Sequence, residues 1–439
     1  MSKILLLDCY PKSGSRISKD TNGGYGTINN LGNGFVPKLL TYVAKKSIFW
    51  PPLALLNLAS ELISFKHNVF YSNDIDDIDS SVDFIFFSIS IVCFEHELEI
   101  LNRIKTKYPK MKIICVGSFV PHVQETLLRT GASLIIGEPE FLIEKYKLTS
   151  VNLNLIYAQR VTNSPFGNPD NLSLPYWVDI NLPFSRHFIH GTYGLAAPIL
   201  ATRGCPYSCK EYCTYPIQQG EVPRSRSSSL LMDDIRYINK KKNIKNFIFR
   251  DPVFSINKRY FRDILNDLAL NFDDSYHFTI ETHLNNLSSD ELLNQLKASF
   301  IKNIKFGIES ASDDVLNNVN RFTIKHDLQY KIIQKLRDLK IKTTAFYILC
   351  QPEDNLVSID NTISYSIQLK TDLAQYSIFT PYPGTPYYEK NKDLILHDTY
   401  SKFTQFDLVY KHKNFSPRDA KDLLGKAYSR YYLNKLFKI

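Results

Sequence analysis

The sequence predicts an α/β protein: a doubly wound parallel sheet, then six βα repeats that fit a partial barrel, then a short helical C-terminus. Three observations carry this. Short apolar runs alternate with amphipathic stretches from Lys3 to Ile136, the rhythm of parallel strands joined by helices. The same rhythm restarts at Ile199 and continues to Phe379. Between the two series, Val151 to Phe184 holds the turn signals Asn163-Ser164-Pro165, Asn168-Pro169 and Leu174-Pro175, which read as a linker. The 439 residues exceed one simple core. The expected units are therefore 1–150, a linker over 151–190, 191–390 and a tail over 391–439.

In the first unit, Lys3 to Leu7 is a buried-strand run, and Pro51-Pro52 opens an apolar helix through Leu62. Asn68 to Tyr71 and Asp83 to Ser90 are strands, and Glu95 to Tyr108 is an amphipathic helix. Lys112 to Val116 is a strand, Gln124 to Thr130 a helix, and Ser133 to Ile136 closes a Rossmann-like set. Pro11 to Gly34 breaks the rhythm with Asn22-Gly23-Gly24-Tyr25-Gly26. A long loop after a first strand lies where such folds bind ligands, and it reads equally as an insertion without structure.

In the second unit the expected strands are Ile199–Thr202, Phe247–Arg250, Phe278–Glu281, Lys305–Glu309, Thr343–Leu349 and Ala374–Phe379. Helical patterns fall at Leu230–Lys240, Arg259–Leu268, Asp290–Ala298, Asp313–Val319, Leu328–Leu339 and Ser358–Leu369. Six such repeats fit a partial (β/α)6 barrel, and they also fit an open sheet. Ser416 as N-cap, Pro417 in the first turn and Asp419 at the positive end of the dipole start a last helix.

The composition, 44% hydrophobic and 22% charged, is that of a globular protein. The first apolar run is too short for a signal peptide and is interrupted by Asp8, and Phe84 to Phe94 is about half a membrane span. Seven cysteines, four of them single within strand-like runs, make a poor disulfide framework and suit a reducing, cytoplasmic compartment. The net charge is +9, and the stretch from Lys411 holds eight Lys or Arg against Asp419 and Asp422. A basic aromatic tail could touch nucleic acid. The plainer reading is an amphipathic helix docking Tyr428, Tyr431, Tyr432 and Leu436 on the protein, and no RNA-binding signature opposes it.

The remaining cysteines stand together in Arg203-Gly204-Cys205-Pro206-Tyr207-Ser208-Cys209-Lys210-Glu211-Tyr212-Cys213, directly after the first strand of the second series. Three thiolates on one loop can hold three irons of a four-iron cluster and leave the fourth open for a substrate. Thiolates also suit zinc. A structural zinc site needs four ligands, and His187 or His190 could supply the fourth. A redox disulfide leaves one thiol over, and buried structural thiols do not usually crowd into a Gly/Pro/Tyr loop.

This loop and the residues C-terminal to it resemble the radical S-adenosylmethionine (SAM) superfamily, most closely its members with an N-terminal cobalamin (B12)-binding domain. Arg203 to Tyr207 is similar to the family's cluster-loop opening, and Cys213-Thr214-Tyr215-Pro216-Ile217-Gln218-Gln219-Gly220 to its close. Arg224-Ser225-Arg226-Ser227, Phe249-Arg250-Asp251-Pro252-Val253-Phe254, Phe306-Gly307-Ile308-Glu309-Ser310 and Thr380-Pro381-Tyr382-Pro383-Gly384-Thr385-Pro386 come in the family's order. The usual Cys-x3-Cys-x2-Cys is here Cys-x3-Cys-x3-Cys, so one extra residue must bulge from the second gap. Ile348 to Asp354 lacks the glycines often found at the fifth strand. In the first unit, Pro51-Pro52-Leu53, Gly117 to His122 and Gly137-Glu138-Pro139-Glu140 resemble the cobalamin-binding domain. The Asp-x-His-x-x-Gly cobalt-ligating motif is missing.

The resemblance implies that Cys205, Cys209 and Cys213 each ligate one iron of a [4Fe-4S] cluster, with SAM on the fourth. It implies that reductive cleavage of SAM gives a radical that abstracts hydrogen from a small-molecule or peptide substrate, the electron coming from a flavodoxin or ferredoxin. Tyr212 would pack near the adenine. Arg250 and Asp251 would meet the methionine moiety or form an internal salt bridge. Glu309 and Ser310 would contact the ribose or amino-acid part of SAM, and Glu281 and His283 would face SAM or substrate. With cobalamin bound, methyl transfer is the leading reaction. The alternatives are a cobalamin-independent radical SAM enzyme with a degenerate first domain and, from another class, a zinc-stabilised nucleic-acid-binding protein.

Overall fold

The computed structural model describes the chain except residues 22–23, 46–49, 183–185, 190–191, 208 and 438–439, and except the side chains of 186–189, 192–193 and 210. The first unit is a six-stranded sheet, β1 (Lys3–Leu7), β2 (Asn68–Ser72), β3 (Phe84–Ser88), β4 (Lys112–Val116), β5 (Ser133–Ile136) and β6 (Val161–Asn163). Its order is β2-β1-β3-β4-β5-β6, and every pair is parallel. β1 and β3 are almost wholly apolar because both faces are covered. One face packs on α2 (Leu53–Ser64), which comes after α1 (Phe35–Lys45); α3 (Phe94–Lys107) packs on the other. The order reverses between β1 and β3, which leaves a crevice at their carboxyl ends.

The sheet extends past the expected boundary at 150. After α4 (Gln124–Arg129) comes α5 (Ser150–Ala158), and the sixth strand lies inside 151–190. Three residues are too short a run for periodicity to show.

The second unit holds β7 (Arg186–Ile189), β8 (Thr192–Ile199), β9 (Asn246–Phe249), β10 (His277–Glu281), β11 (Ile301–Glu309), β12 (Lys342–Leu349) and β13 (Leu373–Ile378). β8 to β13 are six parallel neighbours in chain order, curled into a half-barrel, and β7 pairs antiparallel with β8. The helices α6 (Tyr215–Gln219), α7 (Ser228–Lys242), α8 (Lys258–Asn271), α9 (Asp290–Ala298), α10 (Asp313–Asn318), α11 (His326–Asp338) and α12 (Leu356–Leu369) fall between the strands. Apolar residues of α7 to α12 bury Phe247, Ile280, Phe306 and Tyr347 on the outer face. The first strand lies at Thr192–Ile199, ahead of the expected Ile199–Thr202; past Ile199 the buried Asp251 carboxylate takes the N–H groups of Ala201 and Thr202 out of the ladder.

The half-barrel leaves β13 as an edge, a template for unwanted pairing. The last helix, α13 (Pro417–Phe437), covers it. The Tyr428 hydroxyl accepts from Tyr376 N–H (3.1 Å) and donates to Tyr376 O (2.9 Å), and Tyr432 donates to Ala374 O (2.9 Å). Leu436 stays exposed. Among the described residues no helix is long and apolar enough to cross a membrane.

The glycine-rich loop lies between the two units. Tyr25 is fully buried, and its hydroxyl donates to Pro383 O (2.9 Å) and shares a hydrogen bond with His122 Nε2 (2.7 Å). Lys19, equally buried, sits between Asp8 and Glu97 (2.8 Å each). Asn22 and Gly23, within the glycine-rich motif of this loop, lie outside the described residues.

Candidate cluster loop and interdomain site

The cysteine loop is closed at its neck. Thr202-Arg203 pairs antiparallel with Arg224-Ser225, and Cys205 N–H donates to Gly220 O (3.1 Å). Gly204 has φ +83°, and a Cβ there would stand 2.3 Å from Val222 O. Only glycine fits that turn. Ser208 lies outside the described residues.

The second gap does not bulge as expected. Cys209–Glu211 is a turn of 3-10 helix, and the N–H of Cys213 donates to Cys209 O (3.1 Å). An i, i+4 bond of this kind puts both side chains on one face of the turn. The extra residue is what completes the turn, so regular backbone bonding rather than its absence accommodates it.

Cys205 and Cys209 are buried and Cys213 is half-buried. Burial pushes the Cys205 thiol up to about 11. A hydrogen bond from the Cys213 thiol and the nearby Arg321 guanidinium hold Cys209 below the usual thiol range. Arg321 Nη1 approaches Cys209 Sγ at 3.9 Å, and Nη2 reaches Glu309 Oε1 (3.3 Å) and Gly307 O (3.1 Å). Nothing near Arg321 in the sequence marks it; the chain returns it to the site after α10.

Each expected site residue has a definite place. Tyr212 packs against Phe379, with centroids 5.8 Å apart. Glu309 ends β11 with φ +68°, and burial raises its carboxyl to about 7 against the pull of Arg321. Ser310 bonds Thr362 Oγ1 (3.2 Å) and accepts from Ser312 N–H (3.1 Å), which ties it to α12 and the start of α10. Arg250 forms an ion pair with Asp20 (3.1 Å) and donates to Asp20 O (2.8 Å), so it links the half-barrel to the glycine-rich loop. Asp251 turns inward and accepts from the Thr202 hydroxyl at 2.7 Å. Glu281 ends β10 beside Lys305, its partner across the ladder. His283 packs against Tyr207 with the rings tilted and their centroids 5.0 Å apart, and burial lowers it to about 3. The structure thus brings Tyr212, Glu309, His283 and the cysteines together, and sets Asp251 and Ser310 to hold backbone. His190 and the side chain of His187 lie outside the described residues.

The loop also touches the first unit. Arg203 is 4% exposed and pairs with Glu138 (2.6 Å) and Glu140 (2.8 Å); Arg224 reaches the other Glu138 oxygen (2.8 Å). Both guanidinium groups lie over the Phe141 ring. Beside this tie a cavity of about 320 Å³ opens between the carboxyl ends of the first sheet and the cluster loop. Its floor is Ser88, Gly117, Ser118 and Gly137, and Tyr215, Gln218 and Gln219 form the opposite wall. Gly24 meets Ser118 so closely that a Cβ would stand 2.5 Å from its hydroxyl.

A crevice at the carboxyl ends of the first sheet, beside a three-cysteine loop of a half-barrel, describes a two-domain α/β protein whose thiols can serve a soft metal centre. Residues 199–365 match the model of the Radical SAM superfamily. These residues thus carry a radical SAM region, and that family implies a [4Fe-4S] cluster and SAM. Bacteriochlorophyllide d C-12(1)-methyltransferase of Chlorobaculum tepidum is 27% identical over 312 residues, covering 69% of this chain and 65% of the relative. An uncharacterized methyltransferase of Pyrococcus horikoshii is 28% identical over 291 residues, covering 64% of this chain and 61% of the relative. The matches thus span just under two thirds of these curated relatives. The radical SAM methyltransferase TsrM of Kitasatospora setae, solved with tryptophan and a SAM analogue, superposes with a TM-score of 0.64 at 12% identity, over 97% of this chain and 89% of that one. The cobalamin-dependent radical enzyme OxsB, solved with aqua-cobalamin and SAM, gives 0.60 at 13% identity, over 97% and 66%. At these identities the likeness is one of fold, and it includes both units in the same order.

Proposed function

We propose that the chain is a cobalamin-dependent radical SAM methyltransferase. The observation that carries this reading is the interdomain cavity, whose floor is the first sheet and whose opposite wall is the cluster loop. A floor of serine and glycine at four neighbouring positions presents a flat surface, which suits a planar macrocycle. The amides of Gln218 and Gln219 offer donors and acceptors to its polar rim. The cluster loop fits its group equally well, with three thiols that need not converge on one ion as zinc would require.

When bound, the cluster supplies the electron that cleaves SAM and cobalamin supplies a methyl-carrying centre. The protein's part is placement. Cys205, Cys209 and Cys213 hold three irons, Arg321 offsets thiolate charge, and Glu309 and Tyr212 border the place of SAM. The Arg203–Glu138–Glu140 tie fixes the loop against the cavity floor, so the two groups would face each other. Tyr215 and Arg250 line the space between.

Anaerobic reconstitution with iron, sulfide and hydroxocobalamin tests the reading. The expected result is a corrinoid absorption band retained through gel filtration and, once dithionite or a stronger reductant has reduced the corrinoid to cob(I)alamin, transfer of one methyl from SAM per bound corrinoid with release of S-adenosylhomocysteine. No retained corrinoid at saturating supply would leave a cobalamin-independent radical SAM enzyme.

A further inference from the structure

The concave face of the half-barrel carries a polar row that neither the cluster loop nor the cavity uses. Along β11 and β12, Phe306, Ile308, Ala345 and Tyr347 join the core on the helix side. Alternation therefore turns Lys305 and Thr344 to the concave face. The two are direct partners across the β11–β12 ladder, and Glu281 is the partner of Lys305 on the other side.

These groups lack the partners their burial demands. The Thr344 hydroxyl is buried with no hydrogen bond, and so is Nε of Arg16, which reaches in from the glycine-rich loop. Lys305 forms no ion pair with any described residue. Its ammonium lies in the fields of Arg250, Glu281 and Arg16. Asp20, the second carboxylate of the group, is taken by Arg250 and by Leu53 N–H (3.0 Å). Among the described residues, Arg16, Arg250 and Lys305 thus face the carboxylates of Asp20 and Glu281, a surplus of positive charge in a partly desolvated place. Buried charge of this kind is costly unless a counter-charge completes it. Burial accordingly lowers Lys305 to about 8 and Arg16 to about 10.

We infer that Lys305, Arg16 and the Thr344 hydroxyl form a recognition site for a carboxylate on the substrate. The inference rests on the reading of the half-barrel as the reaction chamber of a radical SAM enzyme, and it names the substrate's chemical class. SAM also carries a carboxylate. Lys305 sits in the middle of its strand, four positions before Glu309, whereas the cysteine loop adjoins the carboxyl ends. The wall formed by Asp20, Arg250 and Tyr215 stands between this row and the interdomain cavity. A carboxylate held at Lys305 would anchor a substrate whose remainder extends toward that wall.

The test uses the cluster-reconstituted chain and malonate as probe, with choline as the cationic control, and reads binding by calorimetry. Malonate should bind saturably and choline should not. Lys305→Met and Arg16→Gln should each weaken malonate by about tenfold or more, and Lys305→Arg should largely keep it. SAM affinity should be the same in all three variants. Absence of saturable binding, or equal binding in Lys305→Met, would overturn the inference. A parallel loss of SAM affinity would also overturn it, because the site would then serve SAM's own carboxylate. Should a variant fail to fold, the wild-type chain still decides. Malonate should slow acetylation of Lys305 by acetic anhydride, read by peptide mass spectrometry, and leave the exposed Lys331 unchanged. Equal labelling of Lys305 with and without malonate would contradict the assignment. Failure of cobalamin retention leaves this measurement intact, so the two readings fail separately.

Discussion

Gly204 sets the direction of the chain into the cysteine loop, and its φ of +83° and the nearness of Val222 O leave no room for a side chain. Gly204→Ala should therefore cost at least about 2 kcal/mol in denaturant unfolding and lower the iron content of reconstituted protein. A variant with unchanged stability and full iron would show that the turn is not needed. His283 gives a pH signature. Burial against Tyr207 lowers it to about 3, whereas a free histidine titrates near about 6.5. Between those values the unfolded chain binds the extra proton and the folded chain does not, so stability rises with pH across that window. Lowering the pH from about 7 to about 5 should cost about 2 kcal/mol through this residue. His283→Phe should remove that part of the acid loss, and an unaltered pH slope would contradict it.

Among the elements, the junction between Gly137-Glu138-Pro139-Glu140 and Arg203 holds the cluster loop to the first sheet. Two carboxylates and one guanidinium are buried there. Arg203→Met leaves Glu140 without its cation and Glu138 with Arg224 alone, and should cost about 3–5 kcal/mol in urea unfolding. Adding Glu140→Gln should recover part of that loss, because the stranded charge is removed with its partner; strictly additive losses would mean the pair does not interact. This junction was only half legible in the sequence. Both motifs stood out, but nothing in either says that they meet, since an ion pair between positions 65 apart leaves no periodic trace. Most strands and helices with clear periods were legible to within a few residues, the first strand of the half-barrel excepted, and Asp290–Ala298 has the bounds expected of it. The three-residue β6 and the short loop helix at Cys209 were not, because their backbone bonds come from context rather than from pattern. Lys305 carried a signal that reading by apolar runs passes over: a lone cation inside Ile304-Lys305-Phe306 must point away from the helices. Arg321 and Asp20 carried none.

Across the molecule, the two units form one machine whose parts meet at a single seam. The glycine-rich loop, the Arg250–Asp20 pair, the Tyr25–Pro383 bond and the Arg203 tie all cross it. The cavity and the cysteine loop lie on that seam. α13 meets it through α1 and through Asn33 of the glycine-rich loop, which donates to Asp422 (2.7 Å), and it closes the open edge of the half-barrel. The basic residues of that last helix are engaged on the protein as well: Lys421 pairs with Asp407, Lys426 and Arg430 with Asp360, and Lys435 donates to Thr371 O.

All of this chemistry depends on Cys205, Cys209 and Cys213 holding a SAM-cleaving cluster despite the lengthened second gap. Iron and sulfide counts, together with SAM consumption under dithionite, test it in the reconstituted wild-type chain and in Cys209→Ala. The wild type should hold a full four-iron cluster and turn SAM over, and Cys209→Ala should lose both. A Cys209→Ala chain that assembles the same cluster and consumes SAM at the wild-type rate would contradict the ligand assignment.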